Sequence, residues 1–486
     1  MLRPSTRKQI LAAILLLTVL AFSLFAQTSQ SRVSYLSYSE AQPILSALDE
    51  VLPAELKGKR PTELSAVWPN WIAHRDAEIR GRLAQGDEDS LVNFLLFGTS
   101  YTKRPRITAE ELKQLDPANP AVGTNGSNSA ASLTSLQARA DDLIRALSAP
   151  AKNERLLFAR RVLIDQQRHN IKTASGRTKL KSYLLTRVAG VLKEQASYAS
   201  ALAGARALGD TTEEFAERSR MFRSRGLSSD TSLLPNFGLE ESLKAIVARA
   251  LLSPGSVRRV AIVGPGLDFT DKQEGYDFYP QQTIQPFAII DTLLRLGLAR
   301  PETLQVTTFD LSPRVNHHLE LAQQRAKRGQ PYIVQLPRDP QAKWKPEAIR
   351  YWEHFGDQIG SAARPVPVPS NAGPLQIRAL SIRPAIAAKI TPVDMNIVLQ
   401  HPNLPPAERF DLIIATNILV YYDNFEQSLA LANVERMLRP GGFLLSNNVL
   451  LELPFSRMRS VDYLTVVYSD RPDDGDHIVW YQRASD

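Results

Sequence analysis

Four short runs in the second half of the chain end in residues that could hold a nucleoside-like ligand. The apolar run Val260-Ala261-Ile262-Val263 leads straight into Gly264-Pro265-Gly266-Leu267-Asp268. Glycines just beyond the carboxyl end of a strand let the backbone approach a ligand with no Cβ in the way; an ordinary tight turn uses the same residues. A second β-rich run ends in Phe309-Asp310-Leu311-Ser312-Pro313. A carboxylate there can accept both hydroxyls of a ribose, and Asp310 or Ser312 can equally cap the helix that follows. The third run closes on Val393-Asp394-Met395-Asn396, the fourth on Ile414-Ala415-Thr416-Asn417.

The elements needed to bring these four points together are written in the changing period of the sequence. VRRVAIVG, LQVTTFDL, IRALSIRPA, FDLIIATN and FLLSNN are β-rich runs separated by helical patterns, which predicts a parallel sheet covered on both faces. YLTVVYS and HIVWYQR flank the polar turn DRPDDGD and predict an antiparallel hairpin that closes the sheet. The fold class expected for residues 236–486 is therefore α/β, a Rossmann-like doubly wound sheet with a C-terminal antiparallel hairpin. An all-α N-terminal region precedes it, with helical patterns over 31–115 and 136–222. The small, polar segment 116–135 reads as a linker, and turn formers at 223–236 mark the boundary to the last domain.

The ordered set of motifs resembles the class I S-adenosylmethionine-dependent methyltransferases. The stretch FDLIIATNILVYYDNFEQSLALANVERMLRPGGFLL is similar to the fourth and fifth strand region of the chemotaxis-receptor methyltransferases. The resemblance covers about 230 residues, from Val257 to the end, and none of the N-terminal half. It implies S-adenosylmethionine as cofactor, with Gly264 and Gly266 beneath its methionine part and Asp310 on the ribose hydroxyls. Asp394 would then meet the adenine amino group, Met395 would lie beside the ring, and Asn417 would floor the site near the reactive methyl. Two positions depart from the pattern. Ala261 stands where the family has an acidic residue, and Asp268 where it has a third glycine, so that the Asp268 side chain narrows the loop unless it turns away or itself contacts the cofactor. The implied activity is methyl transfer to a small molecule or protein. Tyr421, Tyr422, Tyr276, Asp277 and Tyr279 are candidates to border that acceptor, although packing explains the tyrosines equally well. The altered loop also suits a non-catalytic binding or scaffold protein with the same fold. Insertions at 270–287 and 337–374 read as surface excursions or as lids over the pocket.

Composition bounds the remaining possibilities. The chain has 486 residues, 43% hydrophobic and 22% charged, with a formal charge of +8, which is ordinary for a globular protein. No run of basic residues interleaved with aromatics points to nucleic acid. The absence of cysteine excludes disulfides and thiolate chemistry, and His317 and His318 lack carboxylates at metal spacing, so no metal is assigned. Arg3, Arg7 and Lys8 precede the apolar run Ile10–Ala26. Residues 1–26 thus read as a secretory signal or an uncleaved membrane anchor, with the body outside the cytoplasm. A cytoplasmic location follows only if that segment is misread.

Overall fold

A computed structural model describes residues 33–108, 111–112, 126–207, 222–223, 225–270, 276–471 and 474–485. The apolar run at 10–26 lies outside them. Among the described residues no helix is long and apolar enough to cross a membrane.

The chain opens with β1 (Val33–Tyr35), α1 (Tyr38–Ala47) and α2 (Pro61–Phe97), a helix of 37 residues that spans about 55 Å. It continues through α3 (Gly126–Leu147), α4 (Glu154–Arg160), α5 (Ala174–Ala207) and α6 (Leu234–Ala248). From there strand and helix alternate: β2 (Arg259–Val263), α7 (Gln285–Arg295), β3 (Gln305–Asp310) and α8 (Pro313–Lys327). A block of β4 (Tyr332–Arg338), α9 (Pro346–His354), β5 (Gly360–Ala363) and β6 (Gln376–Ile382) comes next. The last part holds α10 (Pro384–Ala387), β7 (Ile390–Asp394), β8 (Gln400–Pro402), β9 (Phe410–Ala415), α11 (Asn424–Met437), β10 (Leu438–Ser446), β11 (Met458–Val467) and β12 (Gly475–Arg483).

Seven strands form the central sheet in the order β11-β12-β10-β9-β2-β3-β7. The pairs from β10 to β7 are parallel, and β12 runs antiparallel to both β10 and β11. This is a doubly wound sheet whose order reverses between β2 and β9, the position where ligands sit in such folds. Alternate residues of each central strand feed opposite cores. Val260, Ile262, Leu412 and Ile414 pack with α6 and α7. Ala261, Val263, Ile413 and Ala415 pack with α11 on the other side. All six residues of β9 are buried, as a central strand covered on both faces requires.

The structure corrects four expectations. The N-terminal region is not all-α: Val33–Tyr35 is extended and pairs antiparallel with β8 in a separate two-stranded sheet, Ser34 facing His401. Nor does it stand apart, since Leu45, Trp68 and Ile79 share one core with Ala261, Phe309 and Phe425. Only the later part of α2 joins α3, α4 and α5 in a separate helical core, with Phe269 inserted into it. IRALSIRPA does not join the parallel sheet; it forms β6, the middle of a three-stranded antiparallel sheet β4-β6-β5. In the segment read as a linker, α3 already begins at Gly126. The insertion at 337–374 is not a lid but part of the packing, with Tyr351 and Trp352 buried in the α6–α7 core.

Candidate functional site

At the reversal point the ends of β2, β3 and β7 meet a cavity of about 50 Å³. Gly264, Gly266, Phe309, Asp310 and Met395 line it from the sheet; Ile418, Tyr421 and Tyr422 line it from the turn after β9. Gly264 and Gly266 have φ of +64° and +63°, which a side chain would strain. A Cβ on Gly264 would stand 2.2 Å from Ile418 Cδ1, and one on Gly266 would stand 2.9 Å from the Ser229 carbonyl oxygen. Both glycines are thus required by the turn and by what lies over it.

Asp310 ends β3 with its carboxylate buried. It accepts the Ser312 main-chain N–H at 2.7 Å and also a main-chain bond from Gly266. Ser312 is the N-cap residue of α8 but makes no side-chain cap bond, so the capping alternative reduces to the carboxylate of Asp310 holding the turn. Burial pushes that carboxyl up to about 7; the two main-chain bonds and Arg314 pull the other way without cancelling it. Arg314 itself sits over the rings of Phe158 and Phe269, 4.3 and 5.1 Å from their centres. Its Nη2 lies 3.8 Å from Asp87 and 3.9 Å from Asp230. Desolvation likewise raises Asp87, to about 6.

Not every residue expected at the site arrives there. Met395 is buried against the cavity. Asp394 is more than half exposed and pairs with Arg80 of α2 at 2.7 Å, a cation that only the N-terminal half supplies. Asn417 adopts φ +59° and turns the chain at the end of β9, its N–H bonded to Asn447 Oδ1 at 2.8 Å. Its side chain is not part of the lining. Asp268 is buried, and a buried carboxylate needs donors; it takes Tyr279 Oη at 2.8 Å and Gln282 Nε2 at 2.9 Å. It therefore braces the loop from behind. Tyr276, Asp277 and Tyr279 lie outside the lining as well, and Asp277 instead binds Thr99 and Ser100, tying the 276–285 segment to the end of α2.

The N-terminal half contributes a cover to the cavity. Leu83 of α2 and the strap Leu227-Ser228-Ser229 close it from above. The strap is held as a strand would be: Leu267 N–H donates to Ser229 O at 2.8 Å and Thr231 N–H to Leu267 O at 3.0 Å. Leu227 N–H reaches Arg82 O of α2 at 3.1 Å, and Arg82 donates to the carbonyls of Arg225 and Tyr421, both at 3.1 Å. A Cβ on Gly86 would lie 1.9 Å from Leu227 O, so helix and strap are in backbone contact. A glycine inside a helical pattern is the signal that could have exposed this contact.

No protein-family model matches the chain, and no curated protein matches it. Among solved structures, the chain is similar to the N-methyltransferase NodS from Bradyrhizobium japonicum WM9, with 15% identity over 51% of this chain and 97% of that one, TM-score 0.25. The magnesium protoporphyrin IX methyltransferase from Synechocystis PCC 6803, solved with bound SAM, shows 12% identity over 58% and 97%, TM-score 0.24. The glycopeptide N-methyltransferase MtfA, solved with S-adenosylmethionine, shows 12% identity over 52% and 79%, TM-score 0.21.

Proposed function

We propose that the chain is an S-adenosylmethionine-dependent methyltransferase with its cofactor site at the reversal point of the central sheet. The observation that carries this reading is the meeting, in one cavity, of the two positive-φ glycines after β2 and the buried carboxylate of Asp310 at the end of β3. A carboxylate at that point binds ribose hydroxyls, and glycines there admit the chain of the ligand past the backbone. The apolar neighbours Met395 and Ile397 suit a purine ring. Asp394, by contrast, must leave Arg80 to reach an adenine amino group, and Asn417 contributes through the turn it makes.

The cofactor would supply a sulfonium methyl whose leaving group is already good. What the protein must add is alignment of an acceptor about 3 Å from that carbon and exclusion of water. The strap and Leu83 exclude water, and Tyr421 and Tyr422 stand where an acceptor would be bordered. Burial raises the Tyr422 hydroxyl, so it remains a hydrogen-bond donor rather than a base. A cavity of about 50 Å³ admits a few waters, so the ligand must displace Ile418 and the strap as it binds.

Titration with S-adenosylhomocysteine tests the reading directly. A ligand that prefers the native state raises the melting temperature. The shift is expected for the full chain and should vanish in Asp310→Ala, with circular dichroism checking that the variant is folded. No shift at millimolar ligand removes the proposal; an unchanged affinity in the variant removes Asp310 from it.

A further inference from the structure

An apolar patch lies on the loop after β10, beside α1 and α11. The loop after β10 buries Leu450 and Leu453 in the core shared with α11. Val449, Leu451 and Phe455 on the same loop point out, 59%, 46% and 46% exposed. A groove of about 320 Å³ separates the foot of this loop from α1; Pro43, Ile44, Leu453 and Phe455 share its lining with Arg409, Arg483 and the pair Glu40 and Arg436. Arg436 of α11 ties α1 in place through Glu40 at 2.9 Å. Soluble surfaces scatter single apolar side chains; three within seven residues, beside a groove rimmed by arginines, form a patch.

What covers this patch is indicated by the chain that leads into it. β1 begins at Val33 and hands over at Ser37 to α1, one wall of the groove. Only Gln27–Arg32, six residues, separates Val33 from the apolar run Ile10–Ala26, a reach of at most about 20 Å. That run has 17 residues, of which only Thr18 and Ser23 are polar. As a helix it would be apolar all round, so the patch could cover one side of it and leave the rest in water. A bilayer covers all sides, and Arg3, Arg7 and Lys8 supply the cationic end that such a segment carries.

We infer that the chain is held at a lipid bilayer by residues 10–26 and that the flank bearing Val449, Leu451 and Phe455 lies against the bilayer surface. The inference does not depend on the activity proposed above. The pairing of β1 with β8 fixes the point of attachment to the body of the protein, so anchoring and flank contact reinforce one another.

The natural absence of cysteine makes the test clean. Full-length Leu451→Cys and Phe455→Cys, carrying a polarity-sensitive dye, are mixed with phosphatidylcholine–phosphatidylglycerol vesicles. Ile333→Cys, on β4 and 43% exposed, is the matched apolar control on the other side of the sheet. Vesicle flotation of the labelled chain, a blue shift and a several-fold drop in iodide quenching at 451 and 455, and no change at 333 are expected. Flotation with unchanged dyes at 451 and 455 overturns the flank contact. Failure to float overturns the anchor, and a dye response that depends on protein concentration without lipid assigns the patch to a second copy of the chain instead. Melting curves of the labelled variants confirm that each is folded.

Discussion

Asp310 concentrates two opposed effects of pH in one side chain. Its carboxyl is raised to about 7 in the native state from the ordinary value near 3.8, so the folded protein holds a proton that the unfolded chain has released. Stability from this group is complete below about pH 4, is lost as pH rises towards 7, and then stays level. Asp87, raised to about 6, acts in the same direction over a narrower window. Urea midpoints measured from pH 4 to 8 should therefore fall with pH, and Asp310→Asn should flatten the part of that slope between 6 and 7, where Asp87 no longer contributes. Ribose binding needs the ionised form, so affinity for S-adenosylhomocysteine should weaken about tenfold per unit below pH 7. An affinity that is flat from pH 5 to 8 rules out the ribose role.

At the scale of elements, the contact between α2 and the strap decides how the cavity is covered. Gly86→Ala places a methyl inside van der Waals distance of Leu227 O, and backbone cannot give way as a side chain can. A loss of about 1–3 kcal/mol is expected, together with faster amide exchange at Leu227 and Leu267, whose bonds hold the strap. Unchanged exchange there, with stability lost, would show that α2 yields instead. Gly264→Ala meets only the tip of Ile418, but its positive φ adds backbone strain of about 1 kcal/mol, so ligand binding should suffer more than folding.

The same scale explains what the sequence discloses. The central strands β2 and β9 are legible because strands covered on both faces are nearly continuous apolar runs, and the hairpin β11–β12 because a polar turn separates two β-rich runs. Gly264, Gly266, Asp310 and Met395 are legible for the same reason: a residue at the carboxyl end of a strand has its place set by the strand. Asp394 and Asp268 sit at comparable positions, yet their partners Arg80 and Tyr279 lie on segments whose pairing no local pattern encodes. Tyr332–Arg338 carries Pro337 and reads poorly as a strand, although at the edge of a three-stranded sheet a proline near the strand end is tolerated. The strap leaves one trace, a glycine in a helix, because its hold on the cavity is made by backbone groups that every residue possesses.

For the whole molecule, the shared core makes the two halves one folding unit. Trp68 and Trp71 report on the N-terminal half, and Trp344, Trp352 and Trp480 on the sheet and its outer layer. Thermal unfolding followed by tryptophan fluorescence and by far-ultraviolet circular dichroism should give coincident transitions. A fragment beginning at residue 236 exposes the face of Ala261, Val263 and Ile413 that α1 and α2 help to cover. It should lose its near-ultraviolet signal and bind apolar dyes. A fragment with a sharp transition of its own would show the N-terminal half to be dispensable.

The pairing of β1 with β8 also sets a timetable. Ser34 meets Asn403 across 369 residues of chain, and synthesis at roughly 5–20 residues per second separates their appearance by about 20–70 s. Until β2 and β3 appear, the apolar stripe of α2, Leu64, Trp68 and Ile72 among it, has no sheet to lie on, and its core is completed only with β9 and α11. The core that joins the two halves is therefore complete only once the last third of the chain has been made.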